Sequence, residues 1–240
     1  MNAARNHFLK SIAIPLGIVL LLWAVHITQL LLGVDLGYMG VFPRRIFGLV
    51  GIFTGPFVHV GWSHLVSNSV PLFVSAVIII YFYPRVSYRG IAGIYVLTGL
   101  SVWIFARPVF HVGASGVVYG LVAFIFWSGI FRRNLKSIVL ALIVTFLYSG
   151  MLAGVVPADN NVSWESHLLG AIMGGIISFM YRSRLEPDEL ESLAPFEADE
   201  TTDYVLDAHV FDKTKAERRA EELPPPLDLD ELFGHKQRDI

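Results

Sequence analysis

The chain contains no cysteine among its 240 residues. A disulfide framework, a thiolate metal site and a cysteine nucleophile are therefore all excluded. Acidic residues are scarce over most of its length. Residues 1–182 hold eleven Lys/Arg but only three acids, Asp35, Asp159 and Glu165. A transporter that moves ions past intramembrane carboxylates would need more. No HExxH pair occurs, and the histidines have no acidic neighbours with metal-ligand spacing, so no metal site is expected. His59 and His64 are five apart, about 140° around a helix, and on that geometry they diverge. There is no internal repeat. Gly33-Val34-Asp35-Leu36 also lacks a small-x-small cleavage site, so the first apolar run, behind Arg5 and Lys10, reads as a retained span and not a signal peptide.

What is present is apolar sequence. Hydrophobic residues make up 54% of the chain, and the mean hydropathy is +0.58, values that suit a polytopic membrane protein. Six runs qualify as spans, near 12–32, 64–82, 91–106, 115–131, 137–156 and 165–181. The third and fourth are short, which fits helices starting below the membrane surface under a cover of protein. The stretch 33–63 carries Phe47, Phe53, Phe57 and Trp62 and reads as a structured loop lying in the interface. Lys and Arg concentrate in the segments that share a side with the N-terminus, including Arg85, Arg89, Arg132, Arg133 and Lys136. This predicts both termini inside. Residues 183–240 reverse the balance, with seventeen acids against seven basic residues. They also carry Pro187, Pro195 and Pro224-Pro225-Pro226. A disordered acidic tail is expected there, with a short helix near 213–222.

The predicted topology brings the starts of spans two, four and six to one depth on the outer side. His64, Ser115 and His167 stand at those starts. Ser115 lies in Gly113-Ala114-Ser115-Gly116, with Tyr119 one turn on along the same face. Gly116/Gly120 and Gly170/Gly174 are GxxxG pairs, which permit close helix approach. That closeness would let His167 reach Ser115 as a base. No carboxylate is placed to orient the histidine: Glu165 would point away, and Asp35 and Asp159 lie in loops. A dyad is therefore more economical than a triad, with Tyr119 packing on the imidazole. His64 and Asn68, i and i+4 on one face, could donate with the Ser115 N–H to an oxyanion. Taken singly, each of these residues also has a packing role available to it. His111 reads as a loop residue or a second base. His7, His26, His209 and His235 form no pattern.

Together Gly113-Ala114-Ser115-Gly116 with Tyr119, His167 with Gly170 and Gly174, and the His59-x4-His64-x3-Asn68 array resemble the rhomboid family of intramembrane serine proteases. The resemblance covers residues 12–181. It implies an all-α, six-transmembrane-helix bundle with an L1 interfacial loop at 33–63 and a mobile fifth span gating substrate entry. It implies Ser115 as nucleophile, His167 as general base and acid, and Asn68, His64 and the Ser115 N–H as the oxyanion hole. Tyr119, Gly113, Gly116, His59, Gly170 and Gly174 support them. One departure stands out: the Trp-Arg pair frequent in the family's L1 loop is replaced here by Pro43-Arg44-Arg45.

The expected organisation is a short cytoplasmic N-terminus (1–11), a six-helix protease domain (12–182) and a cytoplasmic tail (183–240). The expected activity is cleavage of single-span transmembrane protein substrates in a bacterial-type cell membrane, with the site open to the outer face. No cofactor, metal or nucleic acid is implied, and the oligomeric state is left open. The alternatives are a non-catalytic rhomboid-like scaffold that binds transmembrane helices, or a small transporter.

Overall fold

The computed structural model describes residues 2–156 and 163–193, together with Thr214 and Glu217. Among the described residues eight α-helices run in chain order: α1 (Asn2–Leu32), α2 (Gly51–Thr54), α3 (Trp62–Phe82), α4 (Ser87–Phe105), α5 (Ser115–Arg132), α6 (Leu135–Tyr148), α7 (Trp164–Met180) and α8 (Pro187–Leu193). Short 3-10 turns at Gly37–Met39, Ile46–Leu49 and Gly55–Phe57 surround α2, and a longer one, Ser149–Val155, continues α6. Five helical stretches are long and apolar enough to cross a membrane: Ala4–Leu32, α3, α4, α5 and Leu135–Val155. The protein is therefore a multi-pass membrane protein. α7 is shorter, at 17 residues.

Burial ranks these helices. Half of the α5 window is buried, against 17% for α1 and for Leu135–Val155. α5 is the central post, packed on by α3, α4, α6 and α7. Its Val118, Leu121, Phe124 and Ile125 form the middle of the main core with Leu65, Ile79 and Tyr83 of α3 and its C-terminal end, Ile94 of α4 and Ile177 of α7. α1 lies outside, tied in where the Trp23 indole donates to Ser69 Oγ at 3.0 Å. It is apolar on every face, as a lipid-facing helix should be.

Two sequence boundaries are corrected. α1 begins at Asn2 rather than near residue 12. Hydropathy finds the apolar part of a helix and misses a polar first turn, here seated where His7 stacks on Tyr81 at 5.5 Å. The fifth apolar run also breaks: α6 stops at Tyr148, and residues 149–155 wind as a 3-10 segment. Ser149, Gly150 and Gly154 account for the break, since glycine costs an α-helix about 1 kcal/mol against alanine.

The segment 33–61 is folded against α4. An antiparallel bridge joins Val41 to His111. Arg44, with φ of 57°, turns its guanidinium onto the carbonyls ending α4, with Nη1 donating to Ile104 O at 3.1 Å and Ala106 O at 2.8 Å. The Trp103 indole returns a bond to Arg45 O at 2.9 Å. The Pro43-Arg44-Arg45 departure thus keeps an anchoring arginine. It caps a helix whose last carbonyls would otherwise lack partners.

At the far end of the bundle from Ser115, α8 docks on the helix ends. Arg132, closing α5, meets Glu189 at 3.0 Å and Glu186 at 3.6 Å. Lys136 of α6 meets Asp188 at 2.8 Å, and the Arg85 N–H donates to Glu186 Oε2 at 2.9 Å. Burial holds the Glu186 carboxyl above the usual range, opposed by the Arg85 N–H and by the Arg132 and Lys136 charges. These acids count toward the acidic tail by composition, yet they pack on the bundle. The chain divides into two compact units, Met1–Ser192 and Leu193–Ile240. In the second, the helix expected near 213–222 lies almost wholly outside the described residues. Thr214 N donates to Glu217 Oε2 at 2.6 Å, and Glu217 N donates back to Thr214 Oγ1 at 3.4 Å, the reciprocal pair of a capping box.

Candidate active site

Ser115 is the first residue of α5, following Ala114 as N-cap. Its N–H is among the amides at a helix start that have no intrahelical acceptor. Gly113 turns the chain into this helix with φ of +100°, a conformation that side chains rarely tolerate. It also makes room for His64, because a Cβ at Gly113 would lie 2.7 Å from His64 Nε2.

α5 and α7 meet through their glycines. A side chain on Gly170 or Gly174 would collide with the carbonyl of Gly116 or Gly120, and one on Gly116 would sit 3.1 Å from Ser166 O. Backbone-to-backbone packing of this kind lets a short serine on α5 meet a histidine on α7. His167 Nε2 lies 2.8 Å from Ser115 Oγ. The other ring nitrogen, Nδ1, lies 2.8 Å from Gly154 O. A carbonyl can only accept, so Nδ1 carries the proton and Nε2 presents its lone pair to the serine hydroxyl. Tyr119 stacks on the imidazole at 4.2 Å and 9° between planes, and its hydroxyl donates to Met151 O at 2.6 Å.

The expectation that Tyr119 alone would orient the histidine is therefore incomplete. A backbone carbonyl occupies the place where a carboxylate might stand, and sequence cannot signal it, since every residue has one. Glu165 points away and pairs with Arg107 at 3.2 Å.

The α3 side supplies the other candidates. Asn68 is buried, and its amide donates back to His64 O at 2.9 Å, so in this state one amide hydrogen is used within its own helix. His59 and His64 do not diverge. His59 precedes the helix, and its ring lies 5.0 Å from that of His64; the helical angle does not apply. His59 Nδ1 faces Phe57 O at 3.3 Å, and Nε2 accepts from the Ala114 N–H at 3.4 Å. His59 thus braces the turn that presents Ser115. Burial, with the neighbouring His64 adding to it, pushes the His59 pKa down to about 4.

Two histidines acquire roles as braces. His26, without pattern in the sequence, is buried and faces His59 O through Nδ1 at 3.1 Å. His111 uses both ring nitrogens on partners other than Ser115. Its Nε2 donates to Arg107 O at 3.0 Å, and its Nδ1 accepts from Ser163 Oγ at 2.5 Å, tying the 33–61 segment to the start of α7. Burial pushes the His111 pKa down. Ser163 went unnoticed; its one signal was its place just ahead of an apolar run.

Residues 47–184 match the rhomboid domain. This chain belongs to the rhomboid family. It is also similar to uncharacterized proteins of Mycobacterium bovis and Mycobacterium tuberculosis, each 33% identical over 171 residues, covering 68% of this chain and 71% of the relative. A Mycobacterium leprae protein is 30% identical over 169 residues, 67% of each chain. All the candidate dyad, oxyanion and glycine positions of this rhomboid protein fall within the matched domain.

Proposed function

We propose that the protein is an intramembrane serine endopeptidase that cuts transmembrane-helix substrates with a Ser115–His167 dyad. The observation that carries this reading is the 2.8 Å contact from His167 Nε2 to Ser115 Oγ, with the tautomer set by Gly154 O. A histidine with Nδ1–H and a free Nε2 lone pair is the form able to take a serine proton. As Ser115 Oγ bonds to the scissile carbonyl carbon, its proton passes to Nε2. The imidazolium then returns the proton to the leaving amine. Water, activated by the same nitrogen, hydrolyses the acyl-enzyme.

The developing oxyanion is held by the Ser115 N–H, the His64 ring and the Asn68 amide, which must turn from His64 O or use its second hydrogen. Removal of one such donor costs on the order of 10²–10³ in rate. In this reading α7 serves as a sixth span, an even count that returns both termini to one side; the Lys/Arg bias makes that side the inside and leaves the site toward the outer face, where water can enter. The exposed apolar side chains Ile46, Phe47, Val50 and Phe53 of the 33–61 segment support a seat for it in the membrane interface.

Reconstituted protein supplied with a model single-span substrate should release two fragments. Ser115→Ala and His167→Ala should abolish release in proteins that still fold, at a stability cost of about 0.5–3 kcal/mol. A fluorophosphonate probe should label Ser115 in the parent alone. Cleavage by the Ser115→Ala protein at the parental rate would show that Ser115 is not the nucleophile, and a parent that releases no fragments would leave a non-catalytic scaffold or transport role as the better reading.

A further inference from the structure

The base is held by a segment that is itself weakly held. Residues 149–155 wind as a 3-10 helix of seven residues, none of them buried. Runs of 3-10 longer than three or four residues are uncommon and often mark hinges. The segment continues α6, whose window is only 17% buried and which packs chiefly on α5. Between α6 and α5 lies an apolar cavity of about 360 Å³ lined by Tyr119, Phe126, Val144, Tyr148 and Leu152. Space on that side lowers the cost of moving the arm, because few contacts must break.

Two bonds from this arm end on the base and its stacking partner: His167 Nδ1 donates to Gly154 O at 2.8 Å, and Tyr119 Oη donates to Met151 O at 2.6 Å. Gly154 is also sterically dictated. A Cβ there would collide with the Tyr119 hydroxyl and lie 3.1 Å from His167 Nδ1. Only glycine lets the carbonyl come this close.

We propose that Gly154 is a positioning residue for the base, fixing His167 in the Nδ1–H tautomer, and that the base is competent only while the α6 arm is seated against α5 and α7. The idea rests on the protease reading. With the arm displaced, Nδ1 loses its acceptor and the ring proton is free to move to Nε2. That tautomer has no lone pair facing Ser115 and cannot take its proton. In the seated state the Nδ1 proton stays in place throughout. Nε2 alone gains the serine proton as the C–O bond forms and gives it to the amine as the C–N bond breaks. Arm position and base competence are then one event, so a site opened toward lipid is chemically silent until it closes.

The test combines spectroscopy with kinetics on the full chain in lipid nanodiscs. Histidine-¹⁵N spectra of the parent, with the His167 signals identified by their loss in His167→Gln, should show a protonated Nδ1 and a bare Nε2. A bare Nδ1 in the parent would overturn the proposal whatever any variant does. Gly154→Ala should give a mixture of tautomers and lower kcat by about tenfold or more, while KM stays within about twofold, since the acceptor orients the base rather than the substrate. Tyr119→Phe keeps the stack but loses the bond to Met151 O. It should lower kcat by about fivefold and serves if Gly154→Ala fails to fold. Parental kcat in Tyr119→Phe and in a folded Gly154→Ala would sink the coupling while leaving the protease reading intact. A parent that neither cleaves nor labels at Ser115 would instead sink the protease reading, with the tautomer still read independently.

Discussion

At the residue scale, the site is governed by which atoms may donate. Carbonyl oxygens assign the ring protons of several histidines: Gly154 O for His167, Phe57 O for His59, His59 O for His26 and Arg107 O for His111. His167, His59 and His111 then use the remaining nitrogen for a separate task, whereas His26 Nε2 is buried without a hydrogen-bond partner among the described residues. For His59, which lies outside the spanning helices, that task is to accept the Ala114 N–H, and it requires a neutral ring. Its pKa of about 4 in the fold, below the 6.5 of an unfolded chain, sets the sign of a pH effect. Above pH 6.5 both states are neutral, and the full stability is present. Between 6.5 and 4 the unfolded state binds a proton that the folded state refuses, so stability falls by at most about 1.4 kcal/mol per pH unit. Melting temperatures in detergent should therefore drop between pH 7.5 and 5. His59→Gln, which can still accept from Ala114, should drop less. Equal slopes in the two proteins would show that another group carries the effect.

Ser115, His167, Tyr119 and the glycines, which the structure brings together, were legible in the sequence as candidates because side-chain type and spacing mark them. Sequence reasoning missed His26, Ser163 and Gly154. These act through tertiary contacts or a backbone oxygen, and nothing in their identity announces that. It also separated His59 from His64 by treating a loop residue as helical.

At the scale of elements, the two ends of the bundle are built by different means. Around Ser115 the helices approach through glycine backbones. At the opposite end they are clasped by charge: Arg132, Lys136, Glu186, Asp188 and Glu189 join α5, α6 and α8. Arg132 and Glu186 have side chains 3% and 0% exposed. Deleting one member of such a pair strands a buried charge, at a cost of about 3–5 kcal/mol. Arg132→Met should therefore melt well below the parent. Adding Glu186→Gln and Glu189→Gln should restore much of the loss, as the stranded charges are removed. A melting point for Arg132→Met unchanged from the parent would mean that the clasp is not formed in the membrane. The 33–61 segment follows yet another pattern, with Arg44 capping the end of α4 where charge faces carbonyl oxygens rather than a carboxylate.

At the scale of the whole molecule, topology decides whether the site can work. Hydrolysis consumes water, and Ser115 sits at the start of α5 while the charged clasp sits at its other end. From the placement of Lys and Arg we propose that the clasp lies inside and Ser115 outside. Reporter fusions at both termini should report the cytoplasm, and one inserted beside Arg107 should report the exterior. An external N-terminal reporter would invert the proposed orientation and turn the site toward the cytoplasm.

Membership of the membrane class, the apolar helical runs, the glycine faces and the candidate Ser115–His167 pair are all legible in the sequence alone. Each follows from composition or from helical periodicity, which are local properties of a chain in an apolar solvent. What only the tertiary structure decided is the state of the base. The tautomer of His167 depends on the carbonyl of a residue 13 positions away, carried on a peripheral 3-10 arm. Proton position is set by the nearest acceptor in space, and no spacing rule reaches across a loop to find it.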